Sequence, residues 1–367
     1  MADARIENLA TVLVEYSLDI QPGQLVAVAG TTLADPLIRA VYRQILVRGA
    51  YPTVQVTLPE LDVDLFRLAS DDQLQYITPD ERLIPEQADA TLRIMSDANT
   101  KALSEVNPER QQIAQRARAD LRHRYLQRAA EGSLIWCLTI LPTNAYAQDA
   151  GMSLEDYADF VFRAGYLDAE DPVTAWQAMS REQERLIDWL RDKREVHVTA
   201  PDTDLTLSIA GRTFINADGH RNLPDGEVFT GPVEDSVNGH IRFTFPSIMG
   251  GREVKDIRLW FENGKVVRAT AAENEEFLHR MLDVDEGARY LGEFAFGTNR
   301  RINHFTGNIL LDEKIGGTMH VAIGASYPQT RGKNQSAVHW DMICDLRQQS
   351  EVHVDGQLFI KDGEFVV

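Results

Sequence analysis

The pattern of apolar residues changes near Glu195, and this change limits the fold more than any other feature of the sequence. Before it, short apolar runs such as LVAVAG at 25–30 and YPTVQVTL at 51–58 alternate with helical stretches. Strand, helix and strand in that order predict a βαβ crossover and a parallel sheet. The first strand ends in GTT rather than a complete GxGxxG motif, so a dinucleotide site is not supported. The other elements predicted in this half are strands at 88–96 and 133–142, a charged helix at 107–130 and a helical connecting region at 143–195.

Beyond Glu195 the chain consists of short alternating strands punctuated by Gly, Asn and Asp, a pattern typical of β-hairpins. Asn263-Gly264 in FENGKV predicts a two-residue turn, and one helix is predicted at about 274–284. We therefore predict two domains. Residues 1–195 would form an α/β domain with a parallel sheet, flanking helices and the helical connecting region, and residues 196–367 would form a β-rich α+β domain.

The composition fits a globular protein and excludes several classes of partner. The 367 residues suffice for two domains, and 44% of them are hydrophobic and 25% charged. Because 37 Lys and Arg stand against 56 Asp and Glu, the net charge is −19, which argues against nucleic acid and an anionic membrane as partners. Cys137 and Cys344 offer neither a disulfide framework nor a thiolate metal set. No apolar run fits a signal peptide or a membrane span, and we expect a cytoplasmic protein.

The stretch Thr318–Leu346 concentrates the titratable side chains with the strongest chemical signal. His339 and Asp341 are two residues apart in SAVHWDMIC, so a strand would place both on one face and Trp340 on the other, in the core. His320 has the same setting in GTMHVAIG. Histidine and carboxylate side by side on a rigid strand suit a borderline metal such as zinc.

Carboxylates in apolar strands supply further candidates. Glu227 begins EVFTGP, and Glu293 stands between apolar neighbours in YLGEFAFGTN. A buried carboxylate needs a compensating partner, and a metal cation is the strongest one. Each residue alone is more often structural, because a single strand histidine is usually a hydrogen-bonded core residue. Together the candidates are five residues with nitrogen or oxygen ligand atoms: Glu227, Glu293, His320, His339 and Asp341. Five ligands are too many for one tetrahedral zinc ion with an open position, but they suit two metal ions that share a carboxylate.

Four motifs occur in a fixed order: GEVFTGP, GEFAFGTN, DEKIGGTMHVAIGASYP and HWDMI. They resemble the thermophilic metal-dependent aminopeptidase family M29, the group of aminopeptidases T and S. The segments PTNAYAQDAGMSLEDYADFVF and DPVTAW resemble the middle of that family, so the similarity covers nearly the whole chain. The resemblance implies that the five candidates above are the metal ligands, with Glu293 bridging two metals. It also implies that Tyr327 is the active-site tyrosine and that Glu313 is a candidate general base.

Two intervals depart from the family pattern. Compared with other members of the family, the residues GGT lengthen the interval from Glu313 to His320. The interval from Tyr327 to His339 is shorter than in those members. We expect residues 328–338 to form a loop near the pocket, where this protein would differ from its relatives in substrate preference.

The resemblance implies a metallo-aminopeptidase (EC 3.4.11) that releases N-terminal residues from short peptides with a free N-terminus, by a two-metal hydrolytic mechanism. It implies two divalent metal ions per subunit, with zinc as the first choice and cobalt, manganese or magnesium as alternatives. It further implies a homodimer whose sites face an enclosed cavity. Two alternatives remain: a metal-dependent amidohydrolase acting on a non-peptide amide, and a non-catalytic binding protein with the same fold.

Overall fold

A computed structural model describes residues 3–367, which form two compact units. One unit runs through Ala175 and includes Gly219–Pro224, and the other comprises Trp176–Asp218 and Asp225–Val367. The division into domains 1–195 and 196–367 stays a prediction.

The helices and strands follow one another along the chain in two groups. The first group is α1 (Ala4–Thr11), β1 (Leu25–Thr31), α2 (Asp35–Val47), β2 (Tyr51–Thr57), α3 (Leu61–Leu68), α4 (Asp71–Gln75), α5 (Pro79–Glu86), β3 (Ala90–Met95), α6 (Pro108–Ala117), α7 (Ala119–Ala130), β4 (Ile135–Ile140), α8 (Asn144–Asp149), α9 (Leu154–Ala164) and α10 (Pro172–Leu190). The second group is β5 (Glu195–Ala200), β6 (Thr203–Ser208), β7 (Ile215–Ala217), β8 (Asn222–Leu223), β9 (Glu227–Thr230), β10 (Asn238–Arg242), β11 (Ser247–Met249), β12 (Arg252–Val254), β13 (Arg258–Glu262), β14 (Lys265–Thr270), α11 (Glu275–Leu282), β15 (Leu291–Gly297), α12 (Ile309–Asp312), β16 (Thr318–Gly324), β17 (His339–Asp345), β18 (Glu351–Val354), β19 (Gln357–Lys361) and β20 (Glu364–Phe365).

The first unit is built on a parallel sheet with strand order β2-β1-β3-β4-β8. Val26, Val28 and Leu92 are fully buried in it, as expected of parallel strands covered by helices. The predicted parallel sheet with flanking helices is therefore confirmed. The charged segment predicted as one helix is interrupted at Arg118, between α6 and α7. There the guanidinium of Arg118 donates to the carbonyl oxygen of Leu74 and to Glu81, tying the break to neighbouring helices.

The second unit contains two main antiparallel sheets. An eight-stranded sheet has the order β14-β13-β10-β6-β5-β18-β19-β20, and a five-stranded sheet has the order β17-β16-β15-β9-β7. Apolar side chains from both sheets form one shared core. The predicted turn at Asn263-Gly264 joins β13 to β14, and both residues have positive φ, 49° and 83°, as a two-residue hairpin requires. The predicted β-rich α+β character of this region is confirmed.

Among residues 3–367, no helix combines the length and apolarity needed to cross a bilayer. The cytoplasmic location stays a prediction.

Candidate metal centre

The candidate site lies on four strands that are adjacent in the five-stranded sheet. Glu227 begins β9, Glu293 lies in β15, His320 in β16, and both His339 and Asp341 in β17. Neighbouring strands lie about 5 Å apart. The sheet order therefore brings together side chains that are distant in the sequence.

The two faces of this sheet differ in character. Across the strands, Glu293 pairs with Ala322, and Ala322 pairs with Asp341, so these three residues form one row. The alternate residues of β15, β16 and β17 point into the shared apolar core: Phe294, Phe296, Met319, Val321, Ile323, Trp340 and Met342. Period-two alternation thus places the polar residues on the face opposite the core. The prediction that Trp340 is a core residue is confirmed, since it is 1% exposed.

Glu293 follows a β-bulge. The register between β15 and β16 shifts between Leu291 and Glu293, because one residue of β15 has no partner there. A bulge of this kind redirects a side chain and is frequent near functional sites. Glu293 is thereby turned toward both histidines: its Oε1 lies 3.5 Å from Nε2 of His320, and its Oε2 lies 3.3 Å from Nε2 of His339.

The candidate ligands form two groups of three within the described residues. Glu227, Glu313 and His320 form one group, and the other consists of Glu293, His339 and Asp341. In each group the three ligand atoms lie within 4.8 Å of one another. The structure therefore brings together all five ligands predicted from the sequence, and it adds Glu313 to the first group. Whether these residues bind metal stays a prediction.

Several buried polar atoms of the cluster make no hydrogen bond within the described residues. They are Oε2 of Glu227, both ring nitrogens of His320 and Oδ1 of Asp341. Nε2 of His320 lies 3.2 Å from Oε2 of Glu227, but the contact lacks hydrogen-bond geometry. Buried polar atoms without partners are costly and rare in folded proteins. A divalent cation with nitrogen and oxygen ligands would satisfy them, so the donor set fits such an ion.

The ring of His339 is held by a backbone carbonyl. Its Nδ1 lies 2.8 Å from the carbonyl oxygen of Ala325, and because that oxygen can only accept, Nδ1 donates. In the neutral ring Nε2 then carries the lone pair, and it faces Glu293 and Asp341. A hydrogen bond of this type fixes the tautomer of metal-binding histidines in other proteins.

Burial and charge shift the pKa values of the cluster in opposite directions. Burial lowers the pKa values of His320 and His339, but the neighbouring carboxylates outweigh it and raise them to about 9 and about 10. Burial raises the pKa of Glu293, but the two imidazoles outweigh it and bring the value to about 2. At Glu227 and Asp341 burial dominates and raises the pKa to about 8 and about 6. The cluster without a cation therefore holds protons that a metal ion would displace.

Tyr327 lies at the more open end of the site. Its ring packs edge-on against Phe229 and His339, with centroid distances of 5.6 Å and 5.1 Å, and it is 46% exposed. Desolvation of the hydroxyl and the negative charges of Glu293 and Asp341 raise the pKa of Tyr327, so the phenol stays protonated and can donate a hydrogen bond.

Lys314 is part of the cluster, although it was not predicted from the sequence. Its side chain is buried, with Nζ 2.6 Å from Oε1 of Glu227, 2.5 Å from Oε1 of Glu313 and 3.6 Å from Oδ1 of Asp225. Burial lowers the pKa of Lys314, but these carboxylates raise it well above the ordinary value. The only sequence signal was its place between Glu313 and an apolar Ile315, which is too common a pattern to single it out.

A second missed residue is Gln183 of α10, which is fully buried. Its Nε2 donates to the carbonyl oxygens of Glu227 and Ala217 and to Oγ1 of Thr298, each at 3.0 Å. It therefore fixes the start of β9, where the first candidate ligand stands. A glutamine on an amphipathic helix carries no sequence signal of such a role.

Hydrogen bonds anchor the loop at 328–338 to the end of β16 and to the segment that precedes β15. Asn334 Nδ2 donates to the carbonyl oxygens of Gly324 and Gly287, at 2.6 Å and 2.8 Å. The carboxylate of Asp285 accepts from the hydroxyl of Ser336 and from the backbone N–H of Ala337. The segment 328–338 is therefore held in place by several hydrogen bonds next to Tyr327.

The comparison with known sequences decides the family. The sequence model of the family described as thermophilic metalloprotease (M29) matches residues 2–365. The chain belongs to the M29 family. Aminopeptidase 2 of Geobacillus stearothermophilus is 28% identical over 99% of this chain and 95% of its own length. Aminopeptidase T of Thermus aquaticus is 32% identical over 73% of this chain and 72% of its own.

The solved structure of wild-type AmpT from Thermus thermophilus is similar to this M29 protein, with a TM-score of 0.86 and 28% identity over 99% of both chains. The resemblance seen in the motifs is therefore confirmed, as is the enzyme class of a metal-dependent peptidase. Membership of this family also implies divalent metal ions, and the two ligand groups are where the described residues could hold them.

Proposed function

We propose that this M29 protein is a metallo-aminopeptidase (EC 3.4.11) that releases N-terminal residues from short peptides and holds two divalent metal ions. One observation carries the proposal: the two groups of candidate ligands meet at Glu293, whose two oxygens face different histidines. Such an arrangement suits a carboxylate shared by two ions. The names of the relatives, aminopeptidase 2 and aminopeptidase T, support this choice of substrate.

The proposed ligands are Glu227, Glu293, His320, His339 and Asp341, and Glu313 lies beside the first group. Nitrogen and oxygen donors without thiolate suit zinc, cobalt or manganese, and magnesium less well because it prefers oxygen. We propose zinc as the first choice.

The proposed mechanism assigns separate tasks to the residues around the scissile bond. Divalent metal ions held there would supply Lewis acidity toward the peptide carbonyl and toward water. Glu313 would accept the proton of the attacking water and pass it to the leaving amine. Its side chain is only 16% exposed, and Oε1 is engaged by Lys314, which leaves Oε2 for this task. Tyr327 would donate its hydroxyl hydrogen to the carbonyl oxygen as negative charge develops.

The test compares leucine p-nitroanilide with N-acetyl-leucine p-nitroanilide, using protein purified without chelator. We expect hydrolysis of the free amine substrate only, loss of activity after dialysis against a chelator, and recovery on addition of zinc, cobalt or manganese. Equal hydrolysis of the acetylated substrate would favour an amidohydrolase. Protein that neither binds metal nor hydrolyses either substrate would favour the non-catalytic alternative.

We also propose a cytoplasmic homodimer that accepts short peptides and binds neither nucleic acid nor membranes. The net charge of −19 supports the last two points, and the family resemblance supports the others. Light scattering would measure the mass of the assembly, and peptides of increasing length would show where hydrolysis falls off. A monomer, or equal rates on a long unfolded chain, would contradict this proposal.

A further inference from the structure

Lys314 is a fully buried charged residue of the second unit. Its side chain is 1% exposed, and three carboxylates surround its ammonium group: Asp225, Glu227 and Glu313. A lysine is almost never fully buried unless it is paired. In the function proposed above, Lys314 is neither a metal ligand nor a catalytic group.

The ammonium group engages one oxygen of each of two carboxylates. At Glu227 it contacts Oε1 at 2.6 Å, while Oε2 has no hydrogen bond within the described residues and faces Nε2 of His320 at 3.2 Å. At Glu313 it also contacts Oε1, at 2.5 Å. Each carboxylate therefore has one oxygen held by Lys314 and one left for another partner.

The backbone fixes Lys314 relative to the start of β9. The N–H of Asn299 donates to the carbonyl oxygen of Lys314 at 3.2 Å, and Nδ2 of Asn299 donates to the carbonyl oxygen of Asp225 at 2.8 Å. Asn299 thus ties the segment that carries Lys314 to the segment that carries Asp225 and Glu227. The backbone therefore fixes the position of Lys314 relative to these carboxylates.

The charge of Lys314 also matches the proposed number of ions. Five carboxylates lie in the cluster: Asp225, Glu227, Glu293, Glu313 and Asp341. When all are ionised they carry five negative charges. The positive charge of Lys314 reduces this total to four, which two divalent cations would balance. A buried site with unbalanced charge is strongly disfavoured.

We propose that Lys314 is a positioning residue of the metal centre. Its ammonium group donates hydrogen bonds to Oε1 of Glu227 and Oε1 of Glu313, so that each carboxylate presents only Oε2 to a metal ion or to substrate. This inference rests on the proposed metal-dependent function. Without Lys314, Glu227 would be free to bind an ion through both oxygens, which would raise the coordination number of that ion.

The test uses cobalt(II) as the probe and the complete chain. Chelator removes bound metal from three proteins, which are then titrated with cobalt(II): the wild type, Lys314→Met and the control Lys265→Met. Lys265 is exposed on β14. Visible absorption reports the coordination, and elemental analysis reports the number of ions bound. Because cobalt(II) absorbs more weakly at higher coordination number, we expect the band intensity per ion in Lys314→Met to fall at least about two-fold. Lys265→Met should match the wild type.

The outcomes separate the two proposals. If the wild type binds no cobalt, the metal-dependent function itself fails. If it binds cobalt and Lys314→Met gives the same spectrum per ion, the positioning role is wrong, even where the variant melts at a lower temperature. If Lys314→Met does not fold, the double variant Lys314→Met with Asp225→Asn removes a carboxylate charge together with the cation, and Asp225→Asn alone is its control. A wild-type spectrum in that double variant overturns the proposal, and a weakened one supports it.

Discussion

Gly226 and Asn299 approach each other so closely that a methyl group on Gly226 would lie 2.6 Å from Cβ of Asn299. Gly226 also has a φ of 131°, which other residues rarely adopt. We expect Gly226→Ala to lower the free energy of unfolding by about 2–4 kcal/mol and to reduce bound metal, because Glu227 is the next residue. The control Gly356→Ala has positive φ but no atom within 4 Å, and should cost only ~1 kcal/mol. Equal melting temperatures for the two variants would show that the close approach is not what requires glycine.

Glu293→Gln should abolish the sharing of one carboxylate between the two ligand groups. The amide carries no charge, and one of its two ends is a donor that cannot bind a cation. We expect elemental analysis to find at most one ion per chain and kcat/KM to fall roughly 100-fold or more. Glu262→Gln, at an exposed position on β13, serves as control. Retention of two ions with full activity would show that Glu293 is not a ligand.

Tyr327→Phe should separate turnover from metal binding. The ring contacts with Phe229 and His339 can persist in the variant, whereas the hydroxyl donor is lost. We expect kcat to fall by about 10²–10³ with bound metal and KM little changed, as for loss of a donor to a developing oxyanion. Tyr51→Phe, on an exposed residue of β2, is the control. An unchanged kcat would remove Tyr327 from the mechanism.

Asn334→Ala should loosen the loop at 328–338. The carbonyl oxygens of Gly324 and Gly287 would lose their donor, at a cost of about 1–3 kcal/mol in unfolding free energy. Because the loop adjoins Tyr327, we expect KM to rise several-fold while bound metal stays constant. Gln335→Ala changes the neighbouring exposed side chain and should leave both quantities unaltered. A KM equal to the wild-type value would mean that the loop does not contribute to substrate binding.

Removal of metal should make the folded state sensitive to alkaline pH. In the metal-free cluster the pKa values of His320 and His339 are about 9 and about 10, above the ~6.5 of an unfolded chain. A raised histidine pKa gives stability that is complete below ~6.5 and is lost as the pH rises through the folded value. The melting temperature of chelated protein should therefore fall between about pH 7 and pH 10, and that of metal-loaded protein should change less. His279→Gln, on the exposed side of α11, should keep the same profile. A chelated protein with constant melting temperature would contradict this assignment.

Much of the fold follows from local periodicity. The parallel sheet of the first unit and the hairpins of the second are visible in the sequence because the alternation of side chains along a strand has a period of two. The same local rule places His339 and Asp341 on one face of β17. The break at Arg118 was not predictable, because it depends on contacts with Leu74 and Glu81, which are distant in the chain.

The candidate site was predictable where motifs carried it and not where single long-range contacts did. Lys314 meets Glu227 across 87 residues of sequence, and Gln183 meets the backbone of Glu227 across 44. Neither contact has a periodic pattern. The spacing of residues in the sequence predicts which of them share a strand. The contacts of Lys314 and Gln183 depend instead on how separate helices and strands pack, which the spacing does not predict.

The order of strands in the five-stranded sheet has a consequence for synthesis of the protein. Of the four strands that carry candidate ligands, a growing chain presents β9 first, then β15 and β16, and it presents β17 only after more than a hundred further residues have followed Glu227. The group formed by Glu293, His339 and Asp341 cannot assemble on the ribosome before that last strand has emerged. Acquisition of a full complement of metal would therefore be a late event, and a chain released early would lack activity even though its first unit could already be folded.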